Sequence, residues 1–181
     1  SRISSRASPS PISSPTASPA RRAAWACASS AAAAFLVFLP SLGHGWLDWD
    51  DGLLILDNPF LKSGWGALLS GAFGTAPGGA WQPLPFLSYG LDLRLWGASA
   101  FAFHLVNILL HAAAAAAFYG VAKRLIKDRN GALIATLLWA VHPLRVESVS
   151  WVSERRDLLC GIFWCMSVST YLDGARRRSL G

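Results

Sequence analysis

The sequence predicts an all-α membrane protein: a multi-span helical bundle with about four spans and a long first outer loop that carries short interfacial helices of its own. Two observations dictate that class. The chain of 181 residues is 53% hydrophobic and only 14% charged, with a mean hydropathy of +0.38, more apolar than an ordinary soluble domain. The cations behind its formal net charge of +6 sit in short clusters at the ends of apolar segments, the pattern that orients membrane helices. No basic stripe interleaved with aromatics accompanies them, so nucleic acid is not an expected partner and the lipid bilayer is.

Each element follows in order. Residues 1–22 are rich in Ser, Pro and Arg and lack acid, cannot build a core, and are expected as a disordered tail. The uncharged run AAWACASSAAAAFLVFLPSL has about the 20 residues that a helix needs to cross a hydrocarbon core, giving a first span near 23–42. The outer loop 43–100 is too long for a plain connection. Within it LKSGWGALLSGAF forms a short helix, and PLPFLSYGLDLRLWG places Leu84, Leu87, Leu91 and Leu95 on one face, as a helix lying on the bilayer would. Pro59, Pro83 and Pro85 mark turns and helix starts, and Trp46, Trp49, Trp65, Trp81 and Trp96 suit the headgroup region.

A second span, near 101–122, carries His104, Asn107 and His111 at helical spacing, so the three share a face and are expected, with His142, as interhelical polar groups. Two shorter apolar runs, near 131–144 and 158–172, fall below the usual ~17 residues. Their basic flanks, VAKRLIKDRN before and GARRRS after, together with the charged turn 145–157 between them, make them a helical hairpin of spans. Residues 174–181 are then a basic cytoplasmic segment. Counting Arg and Lys puts the amino terminus in the cytoplasm and loops 43–100 and 145–157 outside, in an endoplasmic reticulum membrane or a bacterial inner membrane. The chain, which starts at Ser1 and not at Met, is read as a piece of something longer. Cys27, Cys160 and Cys165 lie inside apolar segments and read as small hydrophobes, not as a disulfide framework.

Chemistry is expected in the two outer elements. Asp50 and Asp51 stand between Trp46, Trp49 and the apolar GLLIL, close to a low-dielectric boundary. Neighbouring carboxylates there resist ionising together, which can make a base or a metal ligand; the alternative is a solvated turn that caps a helix or pairs with Arg94. No ligand cluster has metal spacing, so no cofactor is assigned, and a divalent metal is left open. The second element, HPLRVESVSWVSERRD, packs Arg145, Glu147, Glu154, Arg155 and Arg156 between membrane helices. Its arginines suit a lipid phosphate bidentately, or the group forms a structural ionic network. There is no Gly-rich phosphate loop, nucleophile elbow or zinc spacing.

The ordered strings WLDWDDGLLILDNPFLKSGW, WQPLPFLSYGLDLRLWG, FHLVNILLH and HPLRVESVSWVSERRDLLCGIFW resemble the membrane region of the transmembrane-and-tetratricopeptide-repeat proteins, a GT-C glycosyltransferase branch related to protein O-mannosyltransferases. The resemblance implies a GT-C-like fold and transfer of a sugar, typically mannose, from a polyprenyl-phosphate (dolichyl-phosphate) donor to Ser or Thr of an acceptor protein at the outer face. It puts Asp50 and Asp51 at the catalytic position, one carboxylate taking the acceptor's proton. Two departures stand out: relatives often carry a third acid where Gly52 stands and Arg or His where Gln82 stands. The competing expectation is a noncatalytic membrane anchor for a tetratricopeptide-repeat domain. A lipid-carrier transporter ranks last, because the sequence has no duplicated halves.

Overall fold

The computed structural model describes residues 18–178, and every regular element among them is helical. Helix α1 (Pro19–Val37) opens with Ser18 as N-cap and Pro19 at the first helical position, and a 3-10 turn (Leu39–Gly43) extends it. Helix α5 (Ala100–Ile126) begins at the Ser99 cap and ends on Lys127 in the left-handed region, φ 61°. Helix α6 (Arg129–Ala140) is capped by Asp128, and α8 (Arg155–Arg178) closes the described chain. Between α1 and α5 lie the short helices α2 (Pro59–Lys62) and α3 (Trp65–Gly74) and the longer α4 (Pro83–Trp96); α7 (Arg145–Ser150) joins α6 to α8.

Among the described residues, three stretches are long and apolar enough to cross a membrane: Ala20–Gly43, Ala100–Ile126 and Val152–Arg178. The chain is an all-α membrane protein. The run near 131–144 yields the 12-residue α6, about 18 Å long, short of the ~30 Å hydrocarbon core. It still runs antiparallel to α5: its last residue, Ala140, accepts a 2.8 Å hydrogen bond from His111, and the turn and α7 cover the remaining depth to Asn107. Of the expected tail 1–22, residues 1–17 lie outside the described residues, and 19–22 form the first turn of α1. The basic segment from 174 is helical to Arg178, with 179–181 outside the described residues.

Lipid offers no hydrophobic force to drive helices together, so close approach and polar links must do it. The alanine runs supply the approach. Ala26 packs with Tyr119 and Ala122, and Ala34 with Ala115 and Ala140, which lays α1 antiparallel along α5 and against α6. Trp139 of α6 stacks on Phe118 of α5 at 4.8 Å, nearly parallel.

The long loop folds into a helical cap with a core of its own: Leu54, Ile55, Leu61, Leu68, Phe86 and Tyr89, joined by Phe103 of α5 and Val152. Gly90 lets α4 lie against α3, since a Cβ there would stand 2.7 Å from Leu68. Leu84, Leu91 and Leu95 are exposed on the outer face of α4, and Trp49, Trp65, Trp81 and Trp96 are exposed too, whereas Leu87 and Trp46, expected with them, are half-buried against the cap's core. The opposite face of α4, Phe86, Tyr89 and Asp92, is buried.

Candidate active site

At the end of the bundle where α5 and α8 begin, the 43–100 loop and the segment between α6 and α8 meet through Asp51. Asp50 and Asp51 enter a helical turn that widens into a π turn (Gly52–Leu56), closed by the 2.8 Å Asp57 to Gly52 backbone bond. Such turns recur at functional sites. Successive helical residues point about 100° apart, so the two carboxylates part company. Asp51 is 1% exposed; its Oδ2 accepts from the Leu47 amide at 2.9 Å and its Oδ1 from the Ser153 amide at 3.1 Å. Asp50 is half-buried. A Cβ at Gly52 would stand 3.6 Å from the Asp57 carboxylate, so a third acid there would face an existing one.

Beneath this clasp lies a buried polar knot. Arg155 is 0% exposed, and its Nη1 donates to Asp92 Oδ2 at 2.6 Å and to Ser88 at 3.1 Å, its Nε to Asn107 Oδ1 at 2.7 Å, and its Nη2 to the Phe103 carbonyl at 3.2 Å. The guanidinium also lies over the Tyr89 and Phe103 rings, 4.8 and 5.3 Å from their centroids. Asn107 spends its amide on the carbonyls of Val149, Trp151 and Val152, and the Tyr89 hydroxyl donates to those of Val152 and Ser153. Burial pushes the Tyr89 hydroxyl well above its usual range, with the Arg155 charge pulling the other way. Burial also raises the Asp92 carboxyl, against the opposing charge and hydrogen bond of Arg155.

The other expected site residues sort themselves by what they touch. Arg156 pairs with the buried Glu154, Nε to Oε2 at 3.1 Å, yet its side chain remains 44% exposed. It borders an apolar groove of about 440 Å3 walled by Phe73, Trp81, Leu84, Leu159, Cys160 and Phe163, where Gln82 buries an Oε1 that has no partner. Arg145 lies 5.5 Å over Trp139, on the flank of α6. Glu147 is exposed and borders a second cleft, of about 490 Å3, with His44, Trp46 and Trp151, whose Nε1 is buried without an acceptor. His104 and Asn107 belong to the site end, His104 donating to the Gly45 carbonyl at 3.3 Å, whereas His111 serves the α5–α6 contact. His142 is exposed and accepts from the Leu144 amide at 3.2 Å within its own turn. Arg94 is engaged by the carbonyls of Leu61, Ser63 and Gly90 and by the Trp65 ring, so it does not pair with Asp50.

For a divalent metal the donor set fits poorly. Both oxygens of Asp51 face amide hydrogens, and among the described residues no three His, Cys, Asp or Glu side chains converge. Sequence reasoning missed Tyr89, Asp92 and the Ser153 amide. The first two had a signal in the i, i+3, i+6 spacing of Phe86, Tyr89 and Asp92, opposite the leucine face of α4.

Residues 80–181 match the family model described as dolichyl-phosphate-mannose-protein mannosyltransferase. Over 164 residues the chain is 34% identical to the protein O-mannosyl-transferase Tmtc2 of Drosophila melanogaster, covering 86% of this chain and 17% of that protein. It is 32% identical over 154 residues to tmtc2 of Xenopus laevis (79% and 18%) and 30% identical over 168 residues to human TMTC1 (84% and 19%), both likewise named protein O-mannosyl-transferases. The chain thus spans less than a fifth of the length of these relatives. No solved structure matches it.

Proposed function

Because the chain belongs to the dolichyl-phosphate-mannose-protein mannosyltransferase family, we propose that it forms the base and donor site of a membrane mannosyltransferase, one that moves mannose from a polyprenyl (dolichyl) phosphate to Ser or Thr of an outer-face protein. The observation that carries this reading is the Asp51 clasp, which ties the first outer loop to the 152–154 turn through one buried carboxylate and so fixes Asp50 beside it and Arg156 three residues beyond. In this reading Asp51 is a positioning residue and Asp50 the base. Asp50 takes the proton of the acceptor hydroxyl as its oxygen forms the new bond to the anomeric carbon, and the bond from that carbon to the lipid phosphate breaks with inversion. Arg156 meets the charge growing on the departing phosphate, and the apolar groove beside it receives the first isoprene units. Arg155, with four of its five N–H donors engaged, holds the floor.

The reaction side would face the endoplasmic reticulum lumen or the bacterial periplasm, with Lys123, Arg124 and Arg176 to Arg178 on the cytoplasmic side. The test uses membranes carrying the complete gene product and labelled dolichyl-phosphate mannose. Asp50→Asn is expected to cut transfer by about 10²–10⁴-fold without loss of folded protein. Transfer unchanged in Asp50→Asn would remove the base assignment. A second reading, a noncatalytic anchor for a tetratricopeptide-repeat domain, is favoured by Gln82, a neutral side chain at the groove where the resemblance implies Arg or His. It predicts no transfer from the wild type in membranes where an authentic relative works.

A further inference from the structure

At the opposite end of the bundle from Asp50, α1, α5 and α8 line a third open cleft, of about 560 Å3. Its floor is Ala116 and Gly120 of α5, small residues that leave the groove between α1 and α8 unfilled. Its walls change character along the axis, from Ala24 and Cys27 to Lys123, Arg124 and Arg176. One carboxylate, Asp173, stands against these three cations, and it is held by Arg124 through Nε at 3.1 Å and Nη2 at 3.2 Å. The remaining Arg124 nitrogen bonds the Gly120 carbonyl, and Arg176 donates to the Arg124 carbonyl at 3.1 Å. Lys123 is exposed and forms no ion pair among the described residues.

A separate observation points into the same cleft. Tyr119 lines it, is only 3% exposed, and buries a hydroxyl that has no hydrogen-bond partner. A buried hydroxyl left unpaired costs free energy, so it calls for an acceptor. Among the described residues, cations and a hydroxyl donor therefore gather at the end of an apolar groove, Lys123 about one helical turn and Tyr119 about two from the last residue of a membrane-length helix. That is the height at which phospholipid headgroups lie.

We infer that this cleft is a binding site for an anionic phospholipid, whose phosphate sits between Lys123 and Arg176, accepts from the Tyr119 hydroxyl, and whose acyl chain follows the Ala24, Cys27 and Ala116 groove. The site is independent of the mannosyl-transfer reading, since it lies at the other end of α5 and uses none of its residues. Its role is to fix α1 and α8 against α5, because the lipid touches all three.

The experiment uses the full-length protein in neutral detergent, titrated with phosphatidylglycerol or phosphatidylcholine, with the melting temperature and native mass spectrometry as readouts. Phosphatidylglycerol is expected to raise the melting temperature at lower concentration than phosphatidylcholine. Each cation near a lipid phosphate contributes about fivefold in affinity, so Lys123→Ala with Arg176→Ala should weaken phosphatidylglycerol binding by about 25-fold. Tyr119→Phe should weaken it severalfold while leaving the lipid-free melting temperature unchanged or higher, since it removes an unpaired group. Arg177→Ala with Arg178→Ala, which changes exposed cations outside the cleft, should leave the preference intact. An equal loss in that control would make the attraction diffuse and overturn the site. A wild-type preference preserved in the Lys123/Arg176 pair of substitutions, or a melting shift reproduced by inorganic phosphate alone, would overturn it as well.

Discussion

Replacing Arg155 by Met removes a cation of similar reach and leaves Asp92 beneath it. Arg155 is fully buried and the Asp92 side chain is 5% exposed, so the carboxylate loses its counter-charge with almost no water to take over. Breaking one partner of a buried pair costs about 3–5 kcal/mol, against an intact pair that adds little over a well-packed apolar replacement. The vacated Asn107 Oδ1, Ser88 hydroxyl and Phe103 carbonyl push the figure toward the upper end. The folding equilibrium should therefore shift by about two to four powers of ten. Reversible unfolding of the purified protein in mixed micelles, as dodecyl sulfate is increased, measures it. Adding Asp92→Leu to Arg155→Met should return half or more of the loss, because no charge then stays buried alone. A single substitution that costs under ~1 kcal/mol, or a double one that recovers nothing, would refute the view of Arg155 as the structural floor of the site. Loss of transfer with stability untouched would refute it too, and would give Arg155 to the lipid phosphate.

Asp51→Asn turns one acceptor into an amide whose hydrogens confront the Leu47 or Ser153 N–H, and should cost about 1–3 kcal/mol in the same unfolding assay, whereas Asp50→Asn should cost little. Tyr89 keeps its proton in the folded state far beyond the pH at which an unfolded tyrosine loses it, so its contribution is present below about pH 10 and lost as the pH rises further. Wild type should thus lose about 1.4 kcal/mol per pH unit more than Tyr89→Phe between about pH 10 and 12, read as the difference between their unfolding curves. Gly90→Ala should destabilise by about 1–3 kcal/mol through collision with Leu68, while Gly66→Ala, with open space around it, should stabilise by up to about 1 kcal/mol, both read from unfolding midpoints.

Much of this architecture is written locally. Helices α1, α3, α4 and α5 follow from apolar runs, helped by Ser or Pro at the starts of α1, α4 and α5; the His104, Asn107 and His111 face is buried, as a polar stripe on a span requires. The region from His142 to Asp157 was less legible. Read as one turn, it folds into α7, a 3-10 turn and the first residues of α8, because its polar groups find partners on α4 and α5 that no local pattern reveals. The same holds for the acidic pair. Within WLDWDDGLLIL only the Leu47 amide holds Asp51, and its second partner, the Ser153 amide, lies 102 residues away. Asp92 was hidden for another reason: the leucines of α4 drew attention to the face that the fold leaves outside.

The distribution of unpaired polar atoms gives the last step. Low dielectric makes an unmatched buried group expensive, and most of the knot around Arg155 is matched. Yet Gln82 Oε1, Trp151 Nε1, the other ring nitrogen of His104 and the Ser153 hydroxyl are buried without partners. Gln82 and Trp151 line the two clefts that flank the clasp, one apolar with Arg156 at its edge, the other bordered by Glu147 and His44. A rigid, satisfied floor beneath walls with unspent donors and acceptors is the arrangement that ligand binding requires, since a substrate can then form bonds without displacing existing ones. Under the proposed transfer reading the first cleft would take the lipid phosphate and the second a hydroxyl-rich sugar or acceptor, with Asp51 holding the loop and the 152–154 turn together beside them.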